Sequence, residues 1–426
     1  MHSMYSGINI SQTDARPMYQ QIMEQIRARI AVGDWAAGKE LPSIRALAAA
    51  LSVSVITIKR AYLDLENEGV IVTRHGKGSF VADVNGLARA PGGKDRRAPG
   101  RGCKPRPPVW HLRRRTRDAP APRHPQRGQE MTQTKHIEMR GVRKAYPFFT
   151  LDDLSLDLEP GQIMGFVGAN GAGKSTTIRL AMGLIAPDAG EIRVLGHSIP
   201  EAQAVAKRDI GFVSSEMRLM PQTTLGWHMR FMASIYPEWD AAYADSLVKR
   251  FNLRLAQGSS GLSQGEQIKA LLLLTLARRP RLLILDEPTN GLDPVARHEV
   301  MTEFMDVLRD DNRSILFSSH NTVDVERISD RITFIDRGRV IDCNDKETFL
   351  ERWRRIHVQL PPGATLPDLP GIVSSVVDGQ FATLTTHGFS DGMLALLGSA
   401  VREVQRMSLE EIFVANVMHH REARGQ

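Results

Sequence analysis

Apolar residues along this chain alternate between a helical rhythm and short continuous runs, and the switches mark out its parts. From about Pro17 to Val32, Ile22, Ile26 and Ile30 recur every four residues, which predicts a helix with Pro17 in its first turn. Gly33 and Gly38 break it. Ser43 is placed to cap a short helix, and Ser54 to cap a longer one reaching about Glu66, with Leu63 and Leu65 expected to face inward. An apolar strand, a tip from His75 to Gly78 and a second strand (Ser79, Phe80, Val81) close this first unit. Residues 86–130 show almost no apolar periodicity; eight prolines and eleven arginines there cannot bury a core and predict disorder. Farther on, apolar runs at Ile163–Val167 and Ser314–Phe317 predict strands, and Leu282–Leu285 a buried strand of a parallel sheet. After about Leu350 the runs turn β-like (Ile356–Leu360, Ile372–Val377, Phe381–Thr385), with helical segments near Gly392–Leu397 and Ser408–His419.

A chain of 426 residues holds about two or three domains. The patterning divides it at 1–85, 86–130, 131–350 and 351–426. The net charge of +7 misleads as a global property, because residues 86–130 carry thirteen Lys and Arg against three Asp and Glu. The rest of the chain is then about −3 by subtraction, so the basicity belongs to one segment. Two readings of that segment stand. One is a solvated basic linker. The other starts from Met131, which opens MTQTKHIEMRGVRKAY like the start of an independent domain, and takes the chain as two adjacent reading frames joined. Cys103 and Cys343 lie far apart and outside any metal-like spacing, so a reducing cytoplasm is the default. Met1 to Asp14 has no apolar core, which argues against a signal peptide. The seven-residue stretch Leu271–Ala277 stops at Arg278 and Arg279, far short of a membrane span.

The most specific chemistry lies in GFVGANGAGKSTT, from Gly165 to Thr177, between a strand-like and a helix-like run. Gly168, Asn170, Gly171, Gly173, Lys174, Ser175 and Thr176 belong to a G-x-x-x-x-G-K-S loop and the turn after it. Its glycines let backbone N–H groups curl round an anion while the following helix points its positive end at it. Lys174 supplies a point charge for β- and γ-phosphates, and the Ser175 hydroxyl can sit on Mg2+. The expected ligand is a nucleoside triphosphate. In RLLILDEP, four apolar residues precede Asp286, placed to hold the metal, and Glu287, placed to polarise an attacking water.

Residues 16–82 describe a winged helix-turn-helix and resemble the DNA-binding domain of the GntR family, its short YtrA-like members best. The resemblance rests on PMYQQI, LPSIRALA, VSVITIKRAYLDLENEGVI and RHGKGSFV. It implies that Arg45 touches phosphate or base, and that Ser54, Thr57 and Lys59 line the major-groove face of the recognition helix. It further implies that His75, Gly76 and Lys77 reach the minor groove or backbone from the wing. Val55 and Ile56 stand where many members carry an Arg and a Thr, which bears on the base sequence read.

From about Ile137 the chain resembles the nucleotide-binding subunit of ABC transporters, on the phosphate loop, GLSQGEQIKALLLL, the second acidic motif, GLDP (Gly291–Pro294) and FSSHNT, in that order. The resemblance implies adenine stacking by Tyr146, a γ-phosphate contact from His320, and a signature segment in which Ser263 and Gly265 meet the phosphate loop of a second subunit. Gln264 and Glu266 depart from the commonest Gly and Gln there, and Ser214, Ser215 and Glu216 replace a usual Pro and Gln. The YPEWD segment (Tyr236–Asp240) is similar to the YtrB-like subgroup, and MSLEEIFV (Met407–Val414) to the tail of export ATPases.

The expected fold class is α/β. A P-loop NTPase core of ABC type carries an N-terminal winged helix-turn-helix and a small α+β C-terminal extension. The expected function is the ATP-hydrolysing subunit of an exporter joined to a transcriptional regulator, with ATP and Mg2+ as cofactors. Glu287, His320 and Lys174 are the expected catalytic residues. A homodimer, a separate membrane permease holding the chain at the inner face of the membrane, and double-stranded DNA are the expected partners. The alternative is a soluble, ATP-dependent GntR-like transcription factor.

Overall fold

The computed structural model describes residues 8–10, 16–51, 53, 55–74, 78–82, 134–308, 310, 312–361, 366–367 and 369–424. The basic segment 86–130, Ser54 and the wing tip His75, Gly76 and Lys77 lie outside the described residues, as does the side chain of Arg45.

The front unit holds α1 (Met18–Val32), α2 (Ile44–Leu51) and α3 (Val55–Asn67), closed by an antiparallel pair of β1 (Ile71–Arg74) and β2 (Gly78–Val81). Ile22 and Ile26 of α1 and Leu47 of α2 meet Ile58 and Leu65 of α3 in a core of their own. Leu65 is fully buried, but Leu63 is 56% exposed, against the inward position expected for it. Residues two positions apart on a helix lie about 200° round its axis, so Leu63 and Leu65 cannot share one face. The inward set is Ile58, Ala61, Tyr62 and Leu65.

The second unit opens with β3 (Ile137–Tyr146), β4 (Phe149–Leu158) and β5 (Ile163–Val167), then α4 (Lys174–Ala181), β6 (Ala189–Val194), β7 (His197–Ser198) and α5 (Gln203–Ala206). β8 (Ile210–Ser214) leads into a helical arm of α6 (Leu225–Ile235), α7 (Ala241–Arg250) and α8 (Gln264–Leu276). There follow β9 (Leu282–Asp286), α9 (Pro294–Val307), β10 (Ser314–Ser319), α10 (Thr322–Ile328), β11 (Arg331–Asp336), β12 (Arg339–Asp345) and α11 (Lys346–Arg352). Six strands form one sheet in the order β12-β11-β5-β10-β9-β8, parallel except for β12. Both faces are covered, so β5 and the first four residues of β9 are buried throughout, as their continuous apolar sequence requires. A separate antiparallel sheet, β4-β3-β6-β7, packs through Met139, Leu151 and Ile192 onto one face.

The last part holds β13 (Arg354–Gln359), β14 (Ile372–Asp378), β15 (Phe381–Thr386), α12 (Asp391–Leu397), β16 (Val401–Arg406) and α13 (Leu409–Ala423). Its sheet runs β14-β15-β13-β16. β16 reads VREVQR and has one partly buried residue followed by exposed ones, so it carries no apolar signal; β13 supplies its pairing. α13 starts with a capping box of Ser408 and Glu411 and packs back through Leu409 and Ile412 onto the core of the second unit. Among the described residues no helix is long and apolar enough to cross a membrane.

His136, just before β3, is 1% exposed and neither ring nitrogen has a partner. Burial, helped by the nearby positive charge of Arg281, pushes it down to about 4. In the unfolded chain it titrates near ~6.5. Its neutral form is therefore favoured on folding, so this stability is full above about pH 6.5 and is lost as pH falls toward 4. Melting curves between pH 7.5 and 5 are expected to show a falling midpoint, and a shallower fall in His136→Gln. An identical pH slope in the variant would show that this imidazole contributes nothing.

Candidate nucleotide site

The parallel register sets the site. Val167 at the end of β5 pairs with Ser319 of β10, Ser318 of β10 with Asp286 of β9, and Asp286 in turn with Ser214 of β8. The loops leaving these strands therefore emerge along one edge, where parallel α/β sheets bind ligands. The glycine loop follows β5 and turns into α4. Gly173 holds φ +115°, and a Cβ there would sit 3.0 Å from Phe149 Cζ and 3.1 Å from Leu151 Cδ1, so only glycine fits the bend. Asn170, Gly171 and Ser175 are exposed along the loop's outer side, Thr176 is half-buried, and Gly168 is buried at its base.

Lys174 is 6% exposed and reaches inward. Its ammonium donates to Gly168 O at 2.7 Å and to Ala169 O at 3.3 Å, and lies 3.3 Å from Glu287 Oε1. The other carboxylate oxygen of Glu287 lies 2.7 Å from His320 Nδ1. One carboxylate thus bridges the lysine of the loop after β5 and the histidine after β10. Glu287 takes φ +50°, a left-handed backbone costly for a side chain with a Cβ. Its N–H donates to Ser318 O at 3.1 Å and to Ser318 Oγ at 3.2 Å, which holds that turn in place.

Ser318 has a second role that the sequence did not single out. Its hydroxyl donates to Asp286 Oδ1 at 2.6 Å. Asp286 is thereby aimed from beside its own strand. Among the described residues no group of three or more His, Cys, Asp or Glu could hold a metal. An aspartate and a serine hydroxyl suit instead a magnesium ion that brings most of its ligands as phosphates and water.

Tyr146, at the end of β3, is 42% exposed with its ring 6.4 Å from that of Phe149, leaving a face open beside the glycine loop's own packing partner. The signature residues lie elsewhere. Ser263 is exposed and caps α8: its hydroxyl accepts from Glu266 N at 3.2 Å, and Glu266 Oε2 accepts from Ser263 N at 2.8 Å. The Ser263 backbone N–H, and next its hydroxyl, hold the Glu266 carboxyl below its ordinary range. Gly265 is half-buried in the first turn. Gln264 Nε2 donates to Asn290 O at 3.1 Å, over Gly291 at φ +73°, where a Cβ would lie 2.6 Å from that nitrogen. No bond in the chain ties Ser263 or Gly265 to the Lys174 loop among the interactions described.

In the front unit, Lys59 is exposed, whereas Thr57 is fully buried and donates its hydroxyl to Glu347 Oε1 at 2.6 Å. As the chain is folded here, Thr57 cannot face DNA. Of the residues expected to touch DNA, only Lys59 presents a described and exposed side chain.

The ABC transporter family model matches residues 151–290, and that of bacterial regulatory proteins of the gntR family matches residues 18–81. The chain is 33% identical over 287 residues to the ABC transporter ATP-binding protein YtrB of Bacillus subtilis, across 66% of this chain and 97% of that one. It is 34% identical to a Nod factor export ATP-binding protein I of Cupriavidus metallidurans, across 49% of this chain and 70% of that one. A solved ATP binding subunit of an ABC transporter is 27% identical, with a TM-score of 0.46, across 49% of this chain and 89% of that one.

Removing the Ser318 hydroxyl deletes a charge-assisted bond worth roughly 1.5–3 kcal/mol. Ser318→Ala is expected to raise the Mg2+ concentration needed for half-maximal ATP-dependent activity by about 10- to 150-fold, since each ~1.4 kcal/mol is a factor of ten, with the circular dichroism spectrum unchanged. An unaltered Mg2+ dependence would mean Asp286 needs no such support.

Proposed function

We propose that this chain, which belongs to the family of ABC transporter ATP-binding proteins and carries a gntR-type regulatory domain at its front, is the ATP-hydrolysing subunit of an exporter joined to a DNA-binding regulator. The observation that carries the reading is the convergence of Lys174, Glu287 and His320 at one sheet edge. The loop amides and Lys174 hold the phosphates. Ser175 and Asp286 would hold Mg2+, which supplies positive charge to the transferred phosphoryl group.

A γ-phosphate entering the loop competes with Glu287 for the Lys174 ammonium. That frees a carboxylate oxygen to take a proton from the attacking water. His320, held through Nδ1 by Glu287, then presents its other ring nitrogen to the γ-phosphate. Tyr146 offers its ring face to adenine.

Ser263 and Gly265 complete the site from a second copy. The exposure of Ser263 at the α8 N-terminus, with Gly265 half-buried beside it and neither bonded to the Lys174 loop, supports a paired arrangement with C2 symmetry. The Ser263 hydroxyl accepts from Glu266 N in the cap and pairs with the Glu266 carboxylate, so it would turn its proton from that carboxylate to a phosphate on closure. Glu266 adds a fixed negative charge beside this anion site where the commonest family residue is neutral, so closure should be weaker than usual.

A separate permease would dock on the helical arm. There Trp227 and Phe231 stack at 5.1 Å, and Phe231, Ile235 and Met220 are 42%, 51% and 55% exposed. Export is read from the likeness to the Nod factor export protein. The front unit would bind double-stranded DNA, as regulators of its family do.

Glu287→Gln keeps the size of the side chain and removes the base. Phosphate release is expected to fall on the order of 10²–10⁴-fold. ATP binding should persist, and light scattering should show dimers accumulating with ATP. Normal turnover in this variant would overturn the assignment of the base.

A further inference from the structure

The front unit is not a free appendage. Helix α3, the second of its helix-turn-helix pair, is laid against the ATPase body. Thr57 Oγ1 donates to Glu347 Oε1 at 2.6 Å, with both side chains buried. One turn along α3, Arg60 Nη1 lies 2.7 Å from Glu351 Oε1, while its guanidinium stacks 4.2 Å over the Tyr19 ring. Glu347 and Glu351 are four apart on α11 and so project from one face of it, as Thr57 and Arg60 do nearly so on α3. Val55, at the start of α3, packs against the apolar core of the body as well as its own.

We propose that α11 is an intramolecular stand-in for DNA, whose Glu347 and Glu351 occupy the recognition helix and keep the chain off its operator until the front unit swings away. The proposal rests on the reading that the front unit binds DNA. The chemistry of the contact is that of a phosphate backbone: one acidic oxygen accepts from a short hydroxyl, and the next pairs with a guanidinium. Thr57 and Arg60 cannot serve α11 and a duplex together, so DNA binding and docking exclude each other. The apparent DNA affinity is then the intrinsic one multiplied by the undocked fraction.

The joint is suited to opening. Its charged pair is about one-third exposed on each side, 33% for Arg60 and 36% for Glu351. A cleft of about 200 Å³ remains beside it, lined by Pro17, Met18 and Gln21 on one side and by Lys346, Leu350 and Met407 on the other. The body offers these two glutamates, on a helix that also carries Lys346 and Arg352, at the C-terminal end of the ATPase core, well away in sequence from Lys174 and Glu287. Altering them therefore leaves the nucleotide residues untouched.

The test uses the full chain and two fluorescent duplexes, one from the DNA directly upstream of its coding sequence and one of random sequence. Glu351→Arg, alone and with Glu347→Gln, is compared with the unaltered protein by anisotropy. Amide exchange over residues 346–352 reports docking independently. Docking predicts at least a tenfold gain in affinity for the upstream duplex and faster exchange in α11. Adding Arg60→Ala to the same background should cancel the gain. Unchanged exchange and unchanged affinity would overturn the docking. Faster exchange without binding of either duplex by any form would overturn the DNA reading, and the stand-in with it.

Discussion

A single carboxylate, Glu287, is the point on which the nucleotide site turns. It reaches Lys174 on one side and His320 on the other, and those two residues sit on loops leaving strands β5 and β10. The bridge exists only because β5, β10 and β9 run parallel in a register that brings their carboxyl ends level. A slip of one residue would turn every side chain to the other face and break it. The left-handed backbone at Glu287 adds a local strain, and Ser318 restrains that turn through both its carbonyl and its hydroxyl. The costly conformation is thus supported from a neighbouring strand.

The departures from the family pattern gain physical content once placed. Gln264 spans the gap to the loop before α9 by bonding Asn290 O, over the glycine that leaves room for it. The signature helix and the turn that follows the acidic motif are therefore tied together within one chain. Glu266 is committed to the cap of α8. Ser214 and Ser215 sit against Asp286: Ser215 N donates to Asp286 O at 3.1 Å, and Glu216 N to Ser214 Oγ at 3.2 Å. Glu216 itself is exposed at the lip of the site. These changes leave Lys174, Asp286 and Glu287 in place and alter what surrounds them.

The two units make different demands on the same chain. On the proposed function, the ATPase core would use a second copy to complete its anion site, whereas the winged helix would need α3 uncovered to read a duplex. The two units meet at α11, which follows the antiparallel edge strand β12 and carries both Glu347 and Glu351. The C-terminal part reinforces this region, since α13 packs onto the core through Leu409 and Ile412, and Leu409 N donates to Glu326 of α10.

The glycine loop, the buried strand before Asp286 and the winged-helix hairpin were legible in the sequence because each is a local device. Their residues are near neighbours in the chain, and residue type alone sets the backbone bend or the burial. Leu63 was misplaced because helical phase within one turn was not applied strictly, and β16 was missed because an edge strand of polar residues owes its existence to a partner. Ser318 was quoted within a motif but its bond to Asp286 crosses strands 32 residues apart. Thr57 and Glu347 stand 290 residues apart. The sequence by itself determined which groups can hold a triphosphate and which helix could read DNA, since those properties belong to short segments. Only the tertiary structure decided that Glu287 joins Lys174 to His320 and that α3 lies against α11, because contacts between distant segments depend on sheet register and on which surfaces are left to meet.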